Sequence, residues 1–210
     1  MEASASAPLE HHVEPEPPDW QLRAVWVAIR LWVGSASFFF LSFVFAYFYL
    51  RSIDSNHSWK IGAVNPSIGL GLAIAALLAL SAIVFRLGAL RPSDTFGAGL
   101  AVLIMAFVAI VLQFIEYTQL DFGASQGGYA AVFFGWTALY AVLGVGCLYW
   151  IETQLATLWR ARREGLNRPV REGVPTEDIA LTRANIDACS FFWAYYAGVG
   201  VLMFIILYLV

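Results

Sequence analysis

Charge is scarce in this chain, and its scarcity excludes more than it leaves open. Of 210 residues, 13% are charged and 60% hydrophobic, and the mean hydropathy is +0.70. A water-soluble core of this size cannot hide so much apolar surface, so the chain belongs in a bilayer. Histidine is scarcer still. His11, His12 and His57 are the three present, and all lie outside the apolar runs, so no pair of intramembrane imidazoles is on hand to ligate a haem or copper. The first two read as solvated tail residues. The two cysteines, Cys147 and Cys189, form no spaced motif and read as thiols packed inside the membrane. No phosphate-cradling glycine loop, nucleophile elbow or zinc spacing occurs. A net charge of -3 gives no reason to expect nucleic acid. The runs also lack the alternation of apolar and polar residues that a lumen-facing strand requires, which excludes a barrel.

What the chain does have is uncharged runs of spanning length. A hydrocarbon core of about 30 Å needs about 20 helical residues, and residues 31–50, 61–85, 95–117, 129–151 and 188–210 qualify. The expected fold is all-α, a polytopic membrane helix bundle with five transmembrane helices. Glycines such as Gly69, Gly71, Gly97, Gly99, Gly144 and Gly146 recur inside the runs, where small residues let helix backbones approach closely.

Residues 1–23 are expected to form a flexible acidic, proline-rich cytoplasmic tail, and 24–210 a single domain. "MEASASAPLEHHVEPEPPDW" carries five acids and four prolines, with neither the basic start nor the apolar stretch of a signal peptide. Arg23, Arg91, Arg160, Arg162, Arg163, Arg168, Arg171 and Arg183 fall on the side of the N-terminal tail, Arg51 and Lys60 on the other. Arg30 and Arg86 snorkel towards the first side, so the N-terminus is predicted inside and the C-terminus outside. The connection over 160–187 reads as an exposed interfacial loop whose "TEDIALTRANID" has helical periodicity. Arg160, Arg162 and Arg163 lie just inside a span, where they either hold anionic lipid headgroups or simply set the topology.

Within the bilayer the titratable candidates reduce to Glu116, with Glu152 at the inner end of the fourth run. An intramembrane carboxyl is by default a proton or ion site. A helix entering at Thr95 reaches Glu116 after about 30 Å, at the outer interface, where Tyr117 suits the aromatic belt. That depth favours a carboxylate anchored at headgroup level. Gln113, Glu116 and Tyr117 stand three and four residues apart and share a helix face, from which they can bond across to the next helix or the first outer loop.

The order of motifs resembles a known family. "SASFFFLSFVFAYFYLRS" is similar to the Ser-Glu-x-x-Phe-Phe…Ala-Tyr-x-Tyr-x-Arg helix of cytochrome c oxidase subunit III, the accessory membrane subunit of haem-copper oxidases. "LQFIEYTQLDFGASQGGYAAVFFGWTALYAVLGVGCL" resembles its Leu-Gln-x-x-Glu-Tyr helix, short loop and Gly-x-Tyr-x-x-x-Phe-Phe-x-x-Thr-Gly helix. "ACSFFWAYYAGVGVLMFIILYLV" takes the place of its closing Trp-His-Phe-Val-Asp helix. The likeness covers residues 31–210 and suits the shorter, five-helix bacterial form. Gln113, Glu116, Tyr117, Tyr129, Phe133, Phe134, Thr137 and Arg51 match. Ala36 stands where the family has a membrane glutamate, Tyr140 and Leu143 where it has two histidines, Ala138 where it has a glycine, and Ala194 and Ala197 where it has histidine and aspartate. The chain resembles a divergent member.

The resemblance implies a non-catalytic subunit in the bacterial inner (plasma) membrane. It would pack beside catalytic subunits I and II, which carry the haems and copper, and bind no cofactor itself. It would hold structural phospholipid in a cleft between its first two helices and the remaining three. The complex would oxidise a reduced electron carrier, reduce oxygen to water and pump protons. A related five-helix accessory protein of nitric oxide reductase fits the same motifs. An independent small transporter fits less well, because no internal repeat or midplane charge is present. The charge bias makes a direct prediction: in intact cells a membrane-impermeant thiol reagent is expected to label a His57→Cys variant and to spare a Gly165→Cys variant.

Overall fold

The computed structural model describes residues 20–54, 57–61, 65–91, 94–163 and 176–210. Among these are five α-helices and no strand: α1 (Trp20–Ser52), α2 (Ile68–Ala89), α3 (Thr95–Gln119), α4 (Gly128–Arg163) and α5 (Thr176–Phe204). The last continues as a π-helical segment, Ile205–Leu209. All five helices are long and apolar enough to cross a membrane.

Helix outruns hydrophobicity at most boundaries. α1 starts at Trp20, so the last residues assigned to the tail are helical; residues 1–19 lie outside the described residues. Its 33 residues extend about 50 Å, well beyond a hydrocarbon core of about 30 Å. The backbone hydrogen bonds of a helix continue wherever side chains tolerate them, and the segment before Leu31 contains neither glycine nor proline. In the same way α4 runs on through Arg160 to Arg163, and α5 begins at Thr176, at the head of the periodic "TEDIALTRANID". The long loop expected over 160–187 is therefore helical at 160–163 and 176–187, and residues 164–175 lie outside the described residues. α2 departs the other way, beginning at Ile68 and not at residue 61. Pro66 forces its predecessor towards extended backbone, and Ser67 then caps the helix, its hydroxyl accepting from Leu70 N at 3.4 Å.

α5 is the hub. It packs on α1, α2 and α4, while α2 also packs along α3, and α4 on α1 and α3. α1 contributes one stripe, Ile29, Ala36, Phe40 and Tyr47, spaced at seven and four residues. Its other faces stay outside the bundle, with Phe38 76% exposed. The first two helices do not pair off from the remaining three: α1 leans on α4 and α5, and α2 on α3 and α5. The expected cleft between them is thus corrected, because α2 is drawn into the bundle by its small residues. At Gly88 a methyl would stand 2.1 Å from the Ala98 Cβ, so glycine is what permits that crossing.

Polar side chains fasten the hub. Tyr140 of α4 and Tyr196 of α5 stack with ring centroids 4.1 Å apart, and each hydroxyl donates to the other residue's backbone carbonyl at 2.8 Å. Trp193 Nε1 donates to Ser81 Oγ of α2 at 2.9 Å. Arg86 donates to Ser190 Oγ of α5 at 3.0 Å and lies 3.7 Å from Asp187. That ion pair is 45% and 43% exposed and contributes little on its own.

The tyrosine pair depends on two glycines, since a Cβ at Gly144 or Gly200 would lie 2.4 Å from the hydroxyl of Tyr196 or Tyr140. Gly144→Ala and Gly200→Ala are each expected to destabilise the protein by about 1–3 kcal/mol through overpacking. Gly146→Ala, where nothing lies within 4 Å, is the control. The readout is the unfolding midpoint in detergent.

Candidate functional site at Glu116

The core-facing stripe of α3 runs Gly99, Val102, Ala106, Ala109, Gln113, Glu116, alternating steps of three and four residues. The stripe is apolar until its last turn and then ends in an amide and a carboxyl. Glu116 is 0% exposed. The carboxyl group is therefore sealed within the bundle, because its side chain follows the core stripe and not the outer surface.

One of its partners is a neighbour on α3 and the other lies 92 residues away. Glu116 Oε2 accepts from Gln113 Nε2 at 3.0 Å and from Tyr208 OH at 2.7 Å. Tyr208 belongs to the π-helical segment, a wider turn that closes with Val210 N donating to Ile205 O at 3.2 Å. Its ring lies over Gly71 of α2, where a Cβ would stand 2.5 Å from the ring edge. Tyr129 of α4 donates to Leu207 O, and Arg51 of α1 donates to Val210 O at 3.0 Å. These two bonds tie α4 and α1 to the backbone of the π-helical segment and of Val210. Every helix therefore contributes to this end of the bundle.

The remaining residues singled out by sequence fall into separate places. Tyr117 leaves the carboxyl alone and donates to Thr137 Oγ1 at 2.6 Å, a bond across to the next helix; Thr137 in turn donates to Phe133 O at 2.7 Å. Tyr129 also receives Lys60, whose ammonium stands 4.4 Å from the ring centroid. Behind it, Trp59 packs edge-on against Tyr47 and Tyr129. Gly127, at φ +101°, turns the chain into α4 beneath the Ser58 and Trp59 carbonyls. Arg160 and Arg163 are exposed on α4, about 35 Å along the helix from Thr137; the Arg162 side chain lies outside the described ones. Glu152 is exposed as well.

Sequence reasoning missed Tyr208 and the Tyr140–Tyr196 pair. The available signal was a lone tyrosine within "FIILYLV", with Tyr140 and Tyr196 where the motifs of the resembling family have histidine and valine. Two buried polar atoms have no hydrogen-bond partner among the described residues, Glu116 Oε1 and Trp136 Nε1. Among those residues no three His, Cys, Asp or Glu side chains gather as a metal site. No family model matches the chain, and no curated protein matches it significantly.

Removing the donor in Tyr208→Phe is expected to cost about 1–3 kcal/mol of stability, and Tyr117→Phe about 0.5–1.5 kcal/mol; Tyr149→Phe, at a side chain 68% exposed, is expected to change nothing. Burial, and after it the Arg51 guanidinium, push the Lys60 ammonium below its usual value. The folded chain then sheds this proton at lower pH than the unfolded chain, so stability rises with pH between those two values. The unfolding midpoint in that alkaline window is expected to climb in the parent protein and to lose that component in Lys60→Met.

Proposed function

We propose that this chain is the accessory, non-catalytic subunit III of a haem-copper terminal oxidase, stabilising the catalytic subunit and holding structural phospholipid. The observation that carries the reading is the use made of the motif residues. Gln113, Glu116, Tyr117, Tyr129, Thr137 and Arg51 all bond within the chain, Gln113 to Glu116 along α3 and the others between helices or to the residues that follow α5. Such groups build a scaffold. Where the resembling family has further polar side chains, this chain has Ala36 and Ala197, both buried, and Tyr140 in its tyrosine pair.

On this reading the chain sits in the bacterial plasma membrane with its N-terminus inside and its C-terminus outside, against subunits I and II that carry the haems and copper. Its exposed α1 face, with Phe38, Phe39 and Phe45, offers apolar surface to lipid or to those partners. Arg160, Arg162 and Arg163 stand at the inner leaflet, where anionic headgroups gather.

Purification of the tagged chain from its native host in mild detergent tests the reading, through a reduced-minus-oxidised optical spectrum and identification of the accompanying chains. A haem spectrum, a large polytopic partner and oxygen consumption are expected. Nitric oxide consumption would assign the chain to a nitric oxide reductase, which the same motifs also fit. A colourless, solitary chain with uptake activity would replace both with a transporter.

A further inference from the structure

Glu116 distributes its hydrogen bonds unevenly. Both donors, Gln113 Nε2 and Tyr208 OH, converge on Oε2, and Oε1 has no partner. A carboxylate shares its charge over two equivalent oxygens, each of which demands donors when buried. A carboxylic acid is unsymmetrical: its carbonyl oxygen has two lone pairs for two donors, while its hydroxyl oxygen needs no donor and instead offers one O–H. The placement of both donors on Oε2 is that of the acid's carbonyl, and an O–H on Oε1, without an acceptor among the described residues, costs less than an unpaired charge in the same place. The surroundings agree, since the side chain is 0% exposed and no Lys, Arg or His lies within ion-pair distance among the described residues. The titratable groups facing it are phenols, Tyr117 of α3, Tyr129 of α4 and Tyr208 of the π-helical segment. A charged carboxylate removed from water without a counter-charge costs several kcal/mol, which uptake of a proton removes.

We propose that Glu116 is a proton-binding site, with the proton on Oε1 and the carbonyl Oε2 held by Gln113 and Tyr208. Loading adds one proton to the carboxylate and leaves the chain one charge more positive; release returns that proton to water. A cavity of about 10 Å³ lined in part by Gly71, Gln113, Gly200 and Tyr208 lies beside the two donors and has room for about one water. The site belongs to this chain's own residues and stands whichever catalytic subunit accompanies it.

Infrared spectroscopy of the purified, lipid-reconstituted protein, with whatever chains co-purify, reads the proton directly. At neutral pH the expected result is a carboxylic-acid C=O band worth one group per chain, shifted by deuterium exchange, lost in Glu116→Gln and displaced to higher frequency in Tyr208→Phe. The Tyr208→Phe shift keeps the test intact if Glu116→Gln fails to fold. Absence of an acid band at neutral pH, or a band that neither variant alters, overturns the proposal. Neither result depends on oxygen or nitric oxide consumption, so failure here is distinct from failure of the oxidase assignment.

Discussion

A hydrocarbon environment offers a polar group nothing to bond to, so each one placed there must find its partner within the protein. That requirement organises this bundle. Apolar burial alone does not favour one helix arrangement over another when lipid is as apolar as leucine. The specific contacts are therefore close approaches at small residues and hydrogen bonds between helices. α5, with its π-helical continuation, collects most of the hydrogen bonds. Its backbone carbonyls accept from Tyr129 and Tyr140, its Tyr196 hydroxyl returns the favour to α4, and its Trp193 and Ser190 reach α2.

The same requirement explains why the last turn of the chain is elaborate. The backbone oxygens of Leu207 and Val210 take donors from other helices, Tyr129 of α4 and Arg51 of α1. The π-helical segment brings Tyr208 round to Glu116. The seam so formed joins α1, α3, α4 and the end of α5, with Gly71 of α2 giving the Tyr208 ring its room.

The spans were legible because length and hydropathy are local properties that a bilayer reads directly. Their boundaries were less so. Trp20 to Arg30 and Glu152 to Arg163 carry charges that end an apolar run but do not end a helix, whereas Pro66 does set a start that hydropathy ignores. Gln113 and Glu116 could be placed on one face by spacing alone, and they do bond to each other. Tyr208 could not be foreseen as the third member, since it stands 92 residues from Glu116 and no periodicity links them. Depth along α3 placed Glu116 near the helix end, but depth says nothing of azimuth, and azimuth is what buries it.

The reciprocal bonds of Tyr140 and Tyr196 have a consequence for how the protein moves and changes. Each hydroxyl addresses the other's own carbonyl, so sliding α4 along α5 by even one residue, about 1.5 Å, would break both bonds at once in a setting that offers no replacement. The pair acts as a vernier that fixes the register of two helices, and its two glycine notches, Gly144 and Gly200, belong to the same device. Drift at any one of the four positions is constrained by the other three, and rearrangement of the bundle is left to α1, whose span has the smallest buried share of the five.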